Sequence, residues 1–126
     1  MEERIGKDEL IELLETLRLD KEEYSILSTS ALVLRGIYKD SGDLDIAVTE
    51  KGLNELKENY DLISKGDGWY IVEENVECVL DDSLVYKREK YGDYYLEDLE
   101  IYYDFLRQRN SENDEEKIKL IEKYLN

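Results

Sequence analysis

The sequence predicts an α/β domain of the α+β kind, a small mixed β-sheet flanked by helices with a helical pair at its C-terminus. Three observations predict it. Short apolar runs such as Leu44-Asp45-Ile46-Ala47-Val48 alternate with segments whose leucines recur at helical spacing. The last third carries two helical stripes. The 126 residues suffice for one domain with one core, and no apolar run approaches the ~20 residues of a membrane-spanning helix.

Residues 7–19 place Leu10, Ile11, Leu13, Leu14 and Leu17 on one stripe between charged positions, which makes an amphipathic helix. Residues 24–27 read as a short buried strand. Ser28, Thr29 and Ser30 then precede Ala31-Leu32-Val33-Leu34. Small hydroxyl side chains ahead of an apolar run mark a helix start, because they satisfy the free N–H groups there. Gly36 closes that helix with a left-handed cap. Leu44–Val48 is the clearest strand, and Thr49 caps a helix over residues 50–58 with Leu53 and Leu56 inward. Residues 69–72 and 76–80 are two more strands, split by Glu73-Glu74-Asn75. Residues 84–87 read as a short strand or the start of a connector. Leu96, Leu99, Tyr102, Tyr103 and Leu106 make one helical stripe, and Ile118, Ile121, Tyr124 and Leu125 another, with a turn at residues 110–113. The order α-β-α-β-α-β-β-α-α places an α/β core in residues 1–95 and the helical pair in residues 96–126 of a single domain.

Composition narrows the chemistry. Acids outnumber bases 33 to 17, a formal net charge of −16. Such a surface repels phosphate backbones and anionic lipid, which argues against nonspecific DNA binding and membrane binding. It suits a basic protein partner, or a site that collects Mg²⁺. Histidine is absent, which removes His-dependent triads, His–zinc sites and imidazole proton shuttles. One cysteine, Cys78, excludes an internal disulfide and fits a reducing, cytoplasmic compartment. Two stretches escape the acidic bias. Residues 24–49 hold three acids against two bases, and residues 83–110 six against five.

The first of these carries the candidate site. Asp43 and Asp45 lie two apart at a strand edge, and the strand period of two aims both side chains at one face. Paired carboxylates repel unless a cation lies between them, and hard oxygen ligands suit Mg²⁺ or Mn²⁺. A third acid on a neighbouring strand would complete such a centre. Glu77, flanked by apolar residues in Val76-Glu77-Cys78-Val79-Leu80, is preferred over Glu73, Asp81 and Asp82. Cys78 then faces the opposite way, into the core. Upstream, the hydroxyl-lined helix start at Ser28, Thr29 and Ser30 suits phosphate.

Ser28-Thr29-Ser30-Ala31-Leu32-Val33-Leu34-Arg35-Gly36-Ile37, followed by Asp43-Leu44-Asp45-Ile46-Ala47-Val48, resembles the nucleotidyltransferase superfamily that includes DNA polymerase β, minimal nucleotidyltransferases and antibiotic nucleotidyltransferases. That family shows an apolar strand, a Gly-Ser or Gly-Gly pair opening a helix, and then Asp-x-Asp. Leu34-Arg35-Gly36-Ile37 resembles the turn that one branch places before its acids. The resemblance covers about a fifth of the chain. One position departs from it: Thr29 stands where the family has a glycine, whose missing side chain lets backbone approach the phosphates.

The resemblance implies a nucleotidyltransferase-like fold and a Mg²⁺- or Mn²⁺-dependent transfer. Ser30, with Ser28 and Thr29, would grip a nucleoside triphosphate. Asp43, Asp45 and Glu77 would be the catalytic and metal-holding acids. Arg35, Lys39, Lys87, Arg88 and Lys90 are the candidate phosphate-neutralising bases. The acceptor would be a hydroxyl on a small molecule, a protein or RNA. The second expectation, which the Thr29 departure favours, is a catalytically silent version of the fold. It would bind a basic protein partner, in the manner of an antitoxin or phage inhibitor.

Overall fold

A computed structural model of the chain describes residues 4–126. Among the described residues, seven strands make one mixed sheet. They are β1 (Tyr24–Ile26), β2 (Leu44–Val48), β3 (Ile63–Gly66), β4 (Trp69–Glu73), β5 (Val76–Leu80), β6 (Arg88–Tyr91) and β7 (Tyr94–Glu97). Their order across the sheet is β3-β4-β5-β2-β1-β7-β6. The helices are α1 (Lys7–Thr16), α2 (Ser28–Leu34), α3 (Glu50–Asn59), α4 (Asp82–Tyr86), α5 (Leu99–Arg109) and α6 (Glu115–Leu125). The chain is thus α+β, as its pattern predicts. Among the described residues no helix is long and apolar enough to cross a membrane.

β2 lies at the centre of the sheet. It pairs antiparallel with β1 and parallel with β5. A strand covered on both faces must be apolar along most of its length, and Leu44, Ile46, Ala47 and Val48 are fully buried. Alternation divides them. Leu44, Ile46 and Val48 join Val76 and Cys78 of β5, Leu10 and Leu14 of α1, and Leu53 and Leu56 of α3 in the main core. Ala47 faces the other way and meets Leu27 and Val85, with Trp69 and Val79 packed against them. Each aliphatic side chain buried contributes ~1.5–3 kcal/mol. A one-residue slip would turn all three core-facing aliphatics of β2 outward, so the core itself sets which way Asp45 points.

α5 and α6 form the expected helical pair, and they close over α2 through Leu32, Leu99, Tyr102, Leu106 and Ile121. Three other elements differ from the expectation. β3 is an edge strand that the sequence pattern does not announce, because all four of its residues are exposed. Residues 84–87 do not form a strand. Asp81 accepts a hydrogen bond from the Leu84 N–H at 3.1 Å and so caps the short helix α4. Leu96 belongs to a strand and not to the helical stripe: β6 and β7 turn about Gly92-Asp93, and the sheet runs on to Glu97. Asp98 then caps α5 by accepting from the Glu100 N–H at 2.9 Å.

Candidate active site

The central strand carries its acids to the edge of one face. Asp43 immediately precedes β2, and Asp45 is its second residue. In the parallel pairing of β2 with β5, Asp45 stands opposite Glu77. Asp43, Asp45 and Glu77 line one cavity of about 390 Å³, together with Lys65, Asp67 and Trp69. The three acids that the sequence singles out therefore line a common cavity. Asp45 is half-buried, and its carboxyl is pushed up to about 6. Burial is the main cause, and the neighbouring charges of Asp43 and Glu77 add to it.

Ser30 holds this arrangement from behind. Its side chain is fully buried. Its Oγ donates to the Asp43 carbonyl at 2.7 Å and accepts from the Asp45 N–H at 3.1 Å. One hydroxyl thus pins the start of α2 to the backbone on either side of Leu44. Ser41 Oγ also donates to the Asp43 carbonyl, at 2.8 Å. The Ser30 hydroxyl thus spends its proton and one lone pair inside the fold, on the backbone that carries the two aspartates.

The β3–β4 hairpin supplies what the sequence reading did not. Its turn runs through Gly66 (φ +91°), Asp67 (φ +54°) and Gly68 (φ +83°), conformations that favour glycine. It swings Lys65 and Asp67 over the acids. Lys65 Nζ donates to Glu77 Oε1 at 2.6 Å. Glu77, Asp43 and Asp45 all hold the Lys65 ammonium above its ordinary pKa, the Glu77 hydrogen bond most of all. The sequence signal for this was Gly66-Asp67-Gly68 directly before the strand Trp69–Glu73, a hairpin turn.

The remaining expected residues lie elsewhere. Ser28 has a left-handed backbone (φ +57°), and its N–H donates to Glu97 Oε1 at 3.1 Å. Thr29 Oγ1 meets the Tyr102 hydroxyl at 3.1 Å and accepts from Lys117 Nζ at 3.0 Å. Burial holds the Lys117 ammonium below its ordinary pKa. Arg35 is buried, paired with Glu89, and donates to the Glu97 carbonyl at 2.9 Å. It does not line the cavity, because its acidic partners on the β6–β7 hairpin draw it into the fold. Lys39 is exposed and also lies outside the cavity lining. Arg88 donates to the Glu22 carbonyl at 2.9 Å, with its guanidinium 3.8 Å from the Tyr95 ring centre. Lys90 is on the same edge strand. β1 and β7 separate β6 from β2, which at ~4.8 Å per strand sets the two strands about 14 Å apart across the sheet, and neither base lines the cavity.

The donor set suits a hard divalent cation: carboxylate oxygens, one of them half-desolvated and crowded by two like charges. Among the described residues no three acidic or cysteine groups are already gathered as a ready-made metal cluster. Lys65 supplies the counter-charge at Glu77. No family model, no curated protein and no solved structure matches the chain.

Proposed function

We propose that the chain moves a nucleotidyl group from a nucleoside triphosphate to a hydroxyl acceptor, with Asp43, Asp45 and Glu77 holding Mg²⁺ or Mn²⁺. One observation carries the reading. Asp45 and Glu77 occupy opposed positions on adjacent parallel strands, and Asp43 lines the same cavity. Bound there, the cation supplies charge neutralisation for the phosphates and a lowered pKa for the attacking hydroxyl. Asp43 and Glu77 both raise the Asp45 carboxyl, a repulsion that a cation held among them would relieve.

In this reading the acceptor oxygen bonds the α-phosphorus, the bond from that phosphorus to the bridging β-phosphate oxygen breaks, and pyrophosphate leaves. The hydroxyl proton passes to a carboxylate of the cluster. Ser30 is a positioning residue that fixes the backbone of both aspartates. Lys65 supplies positive charge at the same cavity. The test is a melting-temperature screen of the four ribonucleoside triphosphates with and without Mg²⁺. A shift that needs both metal and nucleotide supports the reading, and no shift from any pair overturns it.

A second reading is favoured by a separate observation. The Thr29 and Ser30 hydroxyls and the Arg35 guanidinium are all engaged within the fold, and Lys39 lies outside the cavity. The chain is then a silent version of this fold whose acidic surface docks a basic protein. That reading expects no metal-dependent nucleotide shift, and partner binding that weakens as salt rises.

A further inference from the structure

We infer that a second cavity, which shares Trp69 with the cavity of the carboxylates, holds the base of the nucleotide and selects bases that carry an exocyclic amino group. The inference rests on the nucleotidyl-transfer reading and names the part of the substrate that reading leaves unplaced. The cavity measures about 220 Å³ and is walled by Leu27, Trp69, Leu84, Ile101, Tyr102 and Phe105. Ser28 and Glu97 supply its polar side. It is smaller than the ~300–1,000 Å³ of pockets that enclose a whole drug-sized ligand, and so suits one flat fragment.

Two features point to a base. Trp69 lines both this cavity and the acidic one, so a single ring borders the two. Trp69 pairs with Val79, two residues along β5 from Glu77. Two residues on a strand span ~7 Å, a distance that a sugar bridges between base and phosphates. Second, the chain's only tryptophan and only phenylalanine wall this one cavity. Phe105 is half exposed, with its ring nearly parallel to that of Tyr102 at 6.2 Å between centres. Base–aromatic stacking accepts any base, because every base has a π-face.

Selection therefore falls to the polar side. Glu97 is only 6% exposed, and its Oε1 accepts from the Ser28 N–H. A carboxylate offers acceptors alone. It rewards an amino group such as that of adenine or cytosine and repels the carbonyl that uracil presents at the equivalent edge.

Trp69, the sole tryptophan, borders both cavities, so the difference between nucleotides, and not quenching as such, reports on the base. The full chain is titrated with ATP, CTP and UTP in Mg²⁺ while tryptophan emission is followed, and Mn²⁺ binding is measured in parallel by calorimetry. The expected result is quenching by ATP and CTP at concentrations about tenfold below those needed for UTP, the discrimination one good base contact supplies. Phe105→Ala, at an exposed position that leaves the core intact, weakens ATP about tenfold through lost stacking. Glu97→Gln keeps an acceptor for Ser28 and erases the difference between ATP and UTP. Metal-dependent nucleotide stabilisation without any Trp69 response overturns the inference and leaves the transfer reading standing. So does a response equal for ATP and UTP and unchanged in Phe105→Ala. Binding of neither Mn²⁺ nor any nucleotide overturns both.

Discussion

Asp45 on β2 and Glu77 on β5 stand opposite each other in a parallel pair, so two carboxylates share one face of adjacent strands at the centre of the sheet. Lys65 reaches in from the β3–β4 hairpin and bonds Glu77. Asp45 keeps the cost of the arrangement.

That cost has a pH dependence. The Asp45 carboxyl titrates at about 6 in the fold against 3.8 ordinarily. An acid whose folded pKa is raised favours the fold while protonated. Its contribution is full below about pH 4 and is lost as pH rises through about 6. Asp45→Asn removes the ionisation and keeps the shape. In EDTA near neutral pH the variant gains on the order of 2 kcal/mol, a Tm several degrees above the parent. The gain shrinks toward zero by about pH 4. Thermal melts of both proteins across this range check it, and parallel curves contradict it.

Ser30 is the second test, because one buried hydroxyl serves two backbone groups. Ser30→Ala leaves the Asp45 N–H without its partner, while Ser41 still serves the Asp43 carbonyl. A loss of about 2 kcal/mol in urea unfolding is expected. Mn²⁺ affinity should fall as well, although Ser30 lies behind the acids and touches no ligand. Lost stability with unchanged Mn²⁺ affinity would remove its positioning role.

Ser28 carries strain that a side chain makes worse. At φ +57° a serine is tolerated and a β-branched residue is not. Ser28→Gly should unfold at equal or higher urea, within about 1 kcal/mol of the parent. Ser28→Val should lose about 2 kcal/mol. Equal midpoints for the two variants would deny the strain.

Lys65 occupies the charge balance of the cavity, so removing it should favour a cation. Lys65→Met is expected to bind Mn²⁺ about three- to tenfold more tightly at low salt, with the gain shrinking as salt screens the exposed ammonium. Weaker Mn²⁺ binding in this variant would instead make Lys65 a support of the site.

Much of this was legible from residues alone. Leu44–Val48 is legible with its ends in place because four of its five residues are apolar, the pattern of a strand that the fold then buries on both faces. Glu77 stood out because it interrupts an apolar strand, and the fold sets it beside Asp45. Other features depend on partners remote in sequence. Arg35 meets Glu89 of the β6–β7 hairpin, 54 residues on, a pairing that no local pattern announces. Ser30 looked like a helix-start hydroxyl, and its acceptor, the carbonyl of Asp43, is 13 residues away. β3 escaped notice because Ile63-Ser64-Lys65-Gly66 is an exposed edge with no apolar alternation for a core to impose. With it went Lys65, the cation nearest the acids.

Mn²⁺ titration by calorimetry, on the parent chain and on the Asp45→Asn and Glu77→Gln variants, tests the central claim most directly. Saturable binding in the parent, weakened at least about tenfold in each variant, is the predicted result. No saturable binding in the parent, or binding that survives both substitutions unchanged, would contradict the assignment of Asp43, Asp45 and Glu77 as a cation site.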